Sequence, residues 1–368
     1  MKKITAYASG RINIIGEHTD YIDGFVLPAA IDKKSEFTVW KNGTEHQCTI
    51  FSKHFQKKYS FDLQDFQPIQ NGWENYVMGV VAEFQKLGAN IKGFDGEFDG
   101  TVPLGSGMSS SAALECSLAV ALNELFELEL TQWQLIKVAQ KAEHNFVGMM
   151  CGIMDQFASV MGRKNQVMLL DCRNLEFEYF PLDLGDYQLL LLNTNVSHSL
   201  ADSAYNERRS QCEKGVQILQ QTNPKIQQLR DVSLDLLEQA KATLPTIVHQ
   251  RCKHGVAENE RVLQATKALQ DKNFQRLGQL MYQSHNSLQH DYEVSCKELD
   301  FLVDFTRDKD YVLGSRMMGG GFGGCTINIV EKTKVAILIE QAANAYKKQF
   351  DVDLTPYEVN IDDASGIK

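Results

Sequence analysis

Apolar and polar positions along the chain follow both the two-residue period of strands and the three- to four-residue period of helices. The alternation predicts strands over Phe25–Trp40, Glu45–Phe51 and Tyr59–Leu63. A helical repeat predicts a helix over Trp73–Leu87 that ends at Gly88. The first part of the chain therefore mixes strands and helices.

Strands and helices continue to alternate in the rest of the chain. Leucines between Leu114 and Leu125 recur at helical spacing, and Thr131 with Gln134 forms a capping box that starts the next helix. Further strands are predicted over Val167–Asp171, Glu176–Phe180, Gln188–Leu192, Cys325–Val330 and 356–360, and further helices over 203–220, 256–270, 274–290 and 333–349. We therefore expect an α+β fold. Because 368 residues exceed what one core usually supports, we expect two domains, 1–180 and 181–368.

The composition narrows the partners of the chain. Acidic residues outnumber basic ones by 47 to 37, and the net charge of −10 argues against nucleic acid as the main partner. No apolar run is long enough to cross a bilayer, and no apolar stretch follows the first lysines, so we expect neither a membrane partner nor a signal peptide. The eight cysteines form no Cys-x-x-Cys pair, which favours free thiols in a reducing compartment. We expect a cytoplasmic monomer.

A loop of glycine and serine precedes the leucine-rich helix. Its residues are Gly105, Ser106, Gly107, Met108, Ser109, Ser110 and Ser111. Glycines let a ligand approach the backbone, and the free N–H groups of the following helix attract an anion, most often phosphate. The alternative is a turn that only caps the helix. Because the loop has no lysine, a bound phosphate would be held by amides, hydroxyls and a metal ion.

Two carboxylates lie among apolar residues. Glu143 follows Ala139 by four residues and lies beside the apolar stripe of its helix, where a carboxylate is costly unless it is paired or binds a cation. Asp155 follows Gly152 in an apolar run, which suits a buried functional carboxylate or a helix N-cap. For both residues a purely structural role stays open at this point.

The segment Ser9–Pro28 groups charged residues and glycines, and we expect it to be a loop. Glu17, His18 and Asp20 would supply the fixed hydrogen-bonding groups that a sugar site needs, and a charged surface turn is the alternative. The run Gly319–Gly324 contains G-x-G-x-x-G, but it precedes a strand instead of opening a helix. It therefore predicts a loop packed against a ligand, or a plain bend, and not a dinucleotide site.

These segments, in this order, resemble the superfamily of kinases that includes galactokinase, homoserine kinase, mevalonate kinase and phosphomevalonate kinase. Three motifs carry the resemblance, namely the opening segment, the loop P-L-G-S-G-M-S-S-S-A-A-L and the late glycine run. The run G-R-I-N-I-I-G-E-H-T-D-Y-I-D-G-F-V-L-P is similar to the galactokinase family in particular, as are C-G-I-M-D-Q-F-A-S at 151–159 and S-A-Y-N-E-R-R at 203–209. The resemblance implies a two-domain fold with the active site between the domains.

The resemblance also implies a role for each matching residue. Asp155 would be the catalytic carboxylate, with Arg11 as the cation beside it. Ser111 and Glu143 would bind Mg²⁺, and Gly105–Ser111 would hold the phosphates of ATP. The residues that would bind galactose are Glu17, His18, Thr19, Asp20, Gly152, Asp155 and Tyr205.

The reaction that the resemblance implies is transfer of the γ-phosphate of ATP to the C1 hydroxyl of galactose. Asp155 would accept the hydroxyl proton or would only orient the hydroxyl, and Arg11 would keep Asp155 ionised. Two alternatives are a kinase for a related sugar, such as N-acetylgalactosamine or L-arabinose, and a non-catalytic sensor of sugar and ATP. The complete serine loop favours an active enzyme.

Overall fold

The computed structural model describes residues 2–70, 72–197 and 201–368, without the side chains of 197 and 201–203. The side chain of Ser203, the first residue of the 203–209 segment, therefore lies outside the described residues. The strands are β1 (Lys3–Asn13), β2 (Phe25–Val26), β3 (Pro28–Lys41), β4 (Gln47–Ser52), β5 (Lys57–Asp62), β6 (Phe94–Gly100), β7 (Gln166–Asp171), β8 (Phe177–Pro181), β9 (Tyr187–Ser197), β10 (Val312–Met317), β11 (Gly323–Glu331), β12 (Thr355–Glu358) and β13 (Ser365–Ile367).

The helices alternate with these strands. They are α1 (Glu74–Lys86), α2 (Ser110–Leu125), α3 (Gln132–Ala142), α4 (Met154–Met161), α5 (Ala201–Thr222), α6 (Leu234–Gln239), α7 (Thr246–Gln270), α8 (Phe274–Ser287), α9 (Lys297–Arg307) and α10 (Val335–Phe350). Short 3₁₀ turns lie at Asp20–Ile22, Leu229–Asp231, Lys241–Thr243 and Lys332–Lys334, and π-helical turns lie at Glu143–Val147 and Leu288–Tyr292. Within the described part of the chain, no helix is both long and apolar enough to span a membrane.

The largest sheet joins the opening segment to the end of the chain. Its strand order is β13-β1-β3-β6-β4-β5, and its pairs are antiparallel except for β4 with β6. α1, α2 and α3 share a core with it, where Phe37, Phe84 and Leu118 are fully buried. Because β13 pairs with β1, the last residues return to the first half of the fold. A domain boundary near residue 180 stays a prediction.

The second half is built around an antiparallel sheet in the order β10-β11-β9-β12. α9 and α10 pack near it in a core that includes Leu190 and Leu338. A separate core joins the two halves, because Ile14 of the opening segment belongs to the same cluster as Val262 of α7 and Ile327 of β11. The short sheet β2-β7-β8 completes the fold.

The sequence located most helices, but it missed β1, β6, β10, β13, α6 and α9, and it indicated α4 only as one of two interpretations of Asp155. Ser9–Asn13, which we expected to lie in a loop, belongs to β1 and pairs with β3. The sequence did not reveal this strand because both of its faces are buried, and such a strand lacks the alternation of apolar and polar residues. α7 begins at Thr246, well before the predicted start at 256. The sequence did not show this first part because buried polar residues such as His249 and Arg251 interrupt the helical repeat of apolar residues.

Candidate active site

One cavity lies where β1, the turn after it, the start of α4 and the late glycine run meet. We call it the acidic cavity because four carboxylates line it. The predicted residues that line it are Arg11, Glu17, His18, Asp20, Ser111, Glu143, Gly152, Asp155 and Tyr205, and the other lining residues are Met149, Cys151, Met154, Gly319 and Gly320. Residues from both halves of the chain therefore form it together.

Arg11 and Asp155 form a two-point ion pair in the acidic cavity. Nε of Arg11 donates to Oδ1 of Asp155 over 2.8 Å, and Nη2 donates to Oδ2 over 3.0 Å. Arg11 follows a register shift in β1, and Asp155 lies in the first turn of α4. Burial by itself lowers the pKa of Arg11, but the negative charges of Asp155, Glu17 and Asp20 raise this pKa above its ordinary value. Arg11 is therefore a fixed cation beside the predicted catalytic carboxylate.

The glycine–serine loop is joined to this ion pair. Nη1 of Arg11 donates to the carbonyl oxygen of Gly107, and the hydroxyl of Ser109 donates to Asp155. Ser106 is fully buried, and its hydroxyl donates to the carbonyl oxygen of Pro103 over 2.7 Å. The side chain of Ser106 thus stabilises the loop, and that of Ser109 stabilises the carboxylate of Asp155. The hydroxyls of Ser110 and Ser111, in the first turn of α2, are left for a ligand.

A second cavity, which we call the aromatic cavity, lies beside the same loop. It is lined by Ser35, His54, Phe55, Trp73, Tyr76, Phe98, Asp99, Gly100, Val102, Leu104, Gly105, Ser110, Ser111 and Leu114. Ser111 lines both cavities. Sequence reasoning missed the aromatic residues because they come from separate elements and share no local pattern. The arrangement offers a place for a flat apolar group on one side of Ser111 and for a polar molecule on the other.

The late glycine run packs against the glycine–serine loop. A Cβ atom on Gly107 would lie 2.9 Å from the carbonyl oxygen of Met318, and one on Gly324 would lie 3.2 Å from the backbone of Ser106. The run leads into β11, as the sequence predicted, and does not open a helix. The close approach of two backbones, together with positive φ angles at both positions, therefore favours glycine at 107 and at 324.

Glu17 lines the acidic cavity, but its carboxylate already has three internal donors. It accepts hydrogen bonds from Nη2 of Arg316 (2.8 Å), the backbone N–H of Gly319 (2.8 Å) and Nδ2 of Asn13 (3.0 Å). Arg316 is fully buried and also donates to the carbonyl oxygens of Asn13 and Ile14. Sequence reasoning missed Arg316 because it lies in β10, a strand that was not predicted.

Thr19, one of the residues expected to contact the sugar, does not line the acidic cavity. Its side chain is fully buried, and its hydroxyl lies 2.8 Å from the carbonyl oxygen of Gly16 and 2.6 Å from that of Phe25. The hydroxyl thus closes the turn between β1 and β2, and a contact of Thr19 with the sugar stays a prediction. It acts on the cavity by shaping the segment that carries His18 and Asp20.

Asp20 and Gly152 approach each other closely. A Cβ atom on Gly152 would lie 1.8 Å from Oδ2 of Asp20, so a larger residue there would displace the carboxylate of Asp20. The same oxygen accepts a hydrogen bond from the backbone N–H of Met154 over 3.3 Å. Burial, and next the charge of Asp155, raise the pKa of Asp20 to about 7. The cavity therefore holds one carboxylate that is easily protonated beside one that is paired with an arginine.

Glu143 and Ser111, the predicted ligands of a metal ion, both line the acidic cavity. Glu143 is buried at the π-helical turn that ends α3, and Ser111 lies in the first turn of α2. Among the residues that the structure describes, no three His, Cys, Asp or Glu side chains are grouped to hold a metal ion by themselves. A carboxylate and a hydroxyl suit Mg²⁺ when phosphate oxygens complete its coordination, so these residues fit that ion.

α7, which lies in the second half of the chain, forms hydrogen bonds to the backbone of the opening segment. Glu258 accepts a hydrogen bond from the backbone N–H of Gly16 (3.0 Å), and Asn259 accepts one from that of Phe25 (2.9 Å). Burial by itself raises the pKa of Glu258, but nearby cations, Arg261 first, lower this pKa to about 2. The ionised Glu258 therefore fixes the backbone that leads into the acidic cavity.

The fold and the two cavities define a small-molecule kinase of the GHMP class. The family model of the GHMP kinases N terminal domain matches residues 75–163, and that of the GHMP kinases C terminal domain matches residues 265–348. The galactokinase galactose-binding signature matches residues 2–38. Galactokinases of Thermotoga neapolitana and Clostridium acetobutylicum are each 40% identical to the chain; the alignments cover 98% of it and 98% and 93% of theirs. The chain belongs to the galactokinase family.

Solved structures agree with this assignment. The chain superimposes on Lactococcus lactis galactokinase, solved in complex with galactose, with a TM-score of 0.95 and 34% identity, over 99% of this chain and 95% of that one. A mevalonate kinase superimposes with a TM-score of 0.66 at 17% identity, over 97% and 98% of the two chains, and so shares the fold. The predicted α+β kinase fold is confirmed.

Proposed function

We propose that the protein transfers the γ-phosphate of ATP to the C1 hydroxyl of D-galactose, which gives galactose 1-phosphate and ADP. The observation that carries this proposal is that the acidic and aromatic cavities meet at Ser111. The acidic cavity suits a sugar, because carboxylates such as that of Asp20 accept hydrogen bonds from its hydroxyls. The aromatic cavity suits the purine of ATP. The galactose-binding signature over residues 2–38 and the galactose bound by the Lactococcus lactis relative support this substrate.

Asp155 and Arg11 carry the transfer step. The C1 hydroxyl oxygen attacks the γ-phosphorus, the bond from that phosphorus to the bridging oxygen of ADP breaks, and the hydroxyl proton passes to the carboxylate of Asp155. The two-point ion pair with Arg11 orients the carboxylate of Asp155 for this step, and Ser109 fixes one of its oxygens. The positive charge of Arg11 would also stabilise the negative charge that shifts between oxygen atoms as the phosphoryl group is transferred.

The loop and the two oxygen ligands would serve the nucleotide. Ser111 and Glu143 would hold Mg²⁺, which when bound neutralises charge on phosphate oxygens. Gly105 and Ser110 line the aromatic cavity next to Ser111, so the free N–H groups at the start of α2 would receive the phosphates. We also propose that the protein acts as a monomer in the cytoplasm, and its eight unpaired cysteines suit a reducing compartment.

A panel of sugars tests the substrate directly. ADP release would be measured with ATP and Mg²⁺ for galactose, N-acetylgalactosamine, L-arabinose, glucose and mevalonate. We expect the highest kcat/KM with galactose. A higher kcat/KM with another acceptor would assign the enzyme to that substrate, and tight binding of galactose and ATP without ADP release would indicate a sensor.

A further inference from the structure

Both ring nitrogens of His18 are engaged by protein groups. Nε2 lies 3.2 Å from the carbonyl oxygen of Gly320, and Nδ1 lies 2.7 Å from the hydroxyl of Tyr21. That hydroxyl lies 2.7 Å from the hydroxyl of Tyr292, which in turn lies 3.3 Å from the thiol of Cys212. His18 and Gly320 line the acidic cavity, whereas Tyr21 and Tyr292 do not. The chain of hydrogen bonds therefore begins at the cavity wall and runs inward from it.

The contact between His18 and Gly320 fixes the direction of the hydrogen bonds that link His18, Tyr21 and Tyr292. A carbonyl oxygen can only accept, so Nε2 of His18 must carry the proton that bonds to Gly320. Burial, and next the nearby His254, lower the pKa of His18 to about 3, so the ring is neutral at pH 7. Nδ1 is then a bare acceptor, and the hydroxyl of Tyr21 must donate to it. The oxygen of Tyr21 consequently accepts from Tyr292.

The packing shows what this chain holds in place. His18 has a left-handed backbone, with φ of 62°, and its ring lies 5.1 Å from that of Tyr205 and 4.9 Å from that of Tyr292 between ring centres. A residue with a side chain pays for this backbone conformation with strain, which surrounding contacts must offset. The hydrogen bonds from Tyr21 and to Gly320 supply such contacts. They set the ring between the opening segment and the late glycine run.

We propose that Tyr21 and Tyr292 are positioning residues for the sugar. Their hydroxyl groups fix His18 with its proton on Nε2, and His18 then holds the Gly320 carbonyl at the wall of the acidic cavity. The part of this inference that concerns galactose rests on the proposed function. The position of the proton on His18 does not, so the two can fail separately.

Nuclear magnetic resonance tests the hydrogen-bond chain in the ligand-free protein. Long-range ¹⁵N–¹H spectra of protein labelled at its nine histidines show which ring nitrogen carries the proton, and the signal lost in His18→Gln identifies His18. We expect a neutral ring protonated on Nε2, and in Tyr21→Phe a shift of the Nδ1 resonance as its donor is lost. A proton on Nδ1 in the wild-type protein would overturn the proposal, whatever the fate of the variants.

Kinetics test the consequence for the sugar. Loss of one buried neutral hydrogen bond predicts a roughly 3- to 10-fold higher KM for galactose in Tyr21→Phe, with a smaller rise in Tyr292→Phe. The KM for ATP should stay within about twofold, because the aromatic cavity is not touched. A wild-type KM for galactose in Tyr21→Phe would overturn the positioning role.

Tyr346→Phe is the matched control. Its hydroxyl is also buried and donates to the carbonyl oxygen of Thr194 over 2.8 Å, in the core of the second sheet. This variant should leave the His18 signals and both KM values unchanged. If Tyr346→Phe changed the KM for galactose as much as Tyr21→Phe does, the effect of Tyr21→Phe would be a general loosening of the fold, which would contradict the proposal.

Discussion

Glu17 offers a sharp test of how the acidic cavity is held together. Its carboxylate and the guanidinium of Arg316 are both buried and lie 2.8 Å apart, and Gly319 of the late glycine run donates to the same oxygen. Glu17→Gln keeps the shape of the side chain but removes its charge. Arg316 then loses the carboxylate that it contacts, and the NH₂ group of the new side chain faces the donor of Asn13.

The size of the effect follows from this burial. Breaking a buried ion pair by removing one partner costs about 3–5 kcal/mol. The entropy of unfolding is about 2.1 cal/mol/K per residue, which gives about 0.8 kcal/mol/K for 368 residues. Glu17→Gln should therefore lower the Tm by about 4–6 °C. Replacing both partners should cost less than the sum of the two single changes, because neither charge is then left alone.

Thermal unfolding followed by circular dichroism measures this loss. Glu36→Gln is the control, since Glu36 pairs with Lys368 at the surface and both side chains are about half exposed, with 44% and 50% of their area accessible. Such a pair contributes little, so the control should shift the Tm by less than about 1 °C. A Tm of Glu17→Gln equal to that of the control would refute the idea that the Glu17–Arg316 pair ties the two halves of the site.

Three further predictions concern the chemistry. Asp155→Asn should lower kcat at least roughly a hundredfold while galactose still binds, since acid–base groups contribute on that scale; a near-normal kcat would exclude the base role. Glu143→Ala should raise the Mg²⁺ concentration needed for half-maximal rate, whereas Glu124→Ala, an exposed change on α2, should not; an unchanged titration would remove Glu143 from the metal site. Asp20 has a pKa of about 7 in the fold, above the ordinary 3.8, so it destabilises the ligand-free protein increasingly as the pH rises from about 4 to 7. The Tm of Asp20→Asn should therefore exceed that of the wild type by more at pH 8 than at pH 5, and a constant difference would contradict the raised pKa.

Local signals in the sequence predicted local structure well. The capping box of Thr131 and Gln134 is present at the start of α3, and Gly88 follows α1 with a positive φ of 79°. Each of these features depends on residues within one turn of each other, so the sequence alone contains the whole interaction.

Contacts between distant segments could not be predicted in this way. Arg316 lies 299 positions after Glu17 and Tyr292 lies 271 positions after Tyr21, and no periodicity links such pairs. The resemblance to a family located the residues around the cavity because it reports their joint arrangement. It did not reveal that Ser109 donates to Asp155, since its motif groups that serine with the phosphate loop.

The product of the reaction tests the central proposal most directly. Galactose, ATP and Mg²⁺ would be incubated with the enzyme, and ³¹P and ¹H spectra of the sugar phosphate would be recorded. We predict one sugar phosphate per ADP, with its phosphorus coupled to the proton on C1. A phosphate on C6, or ADP formed without any sugar phosphate, would contradict it.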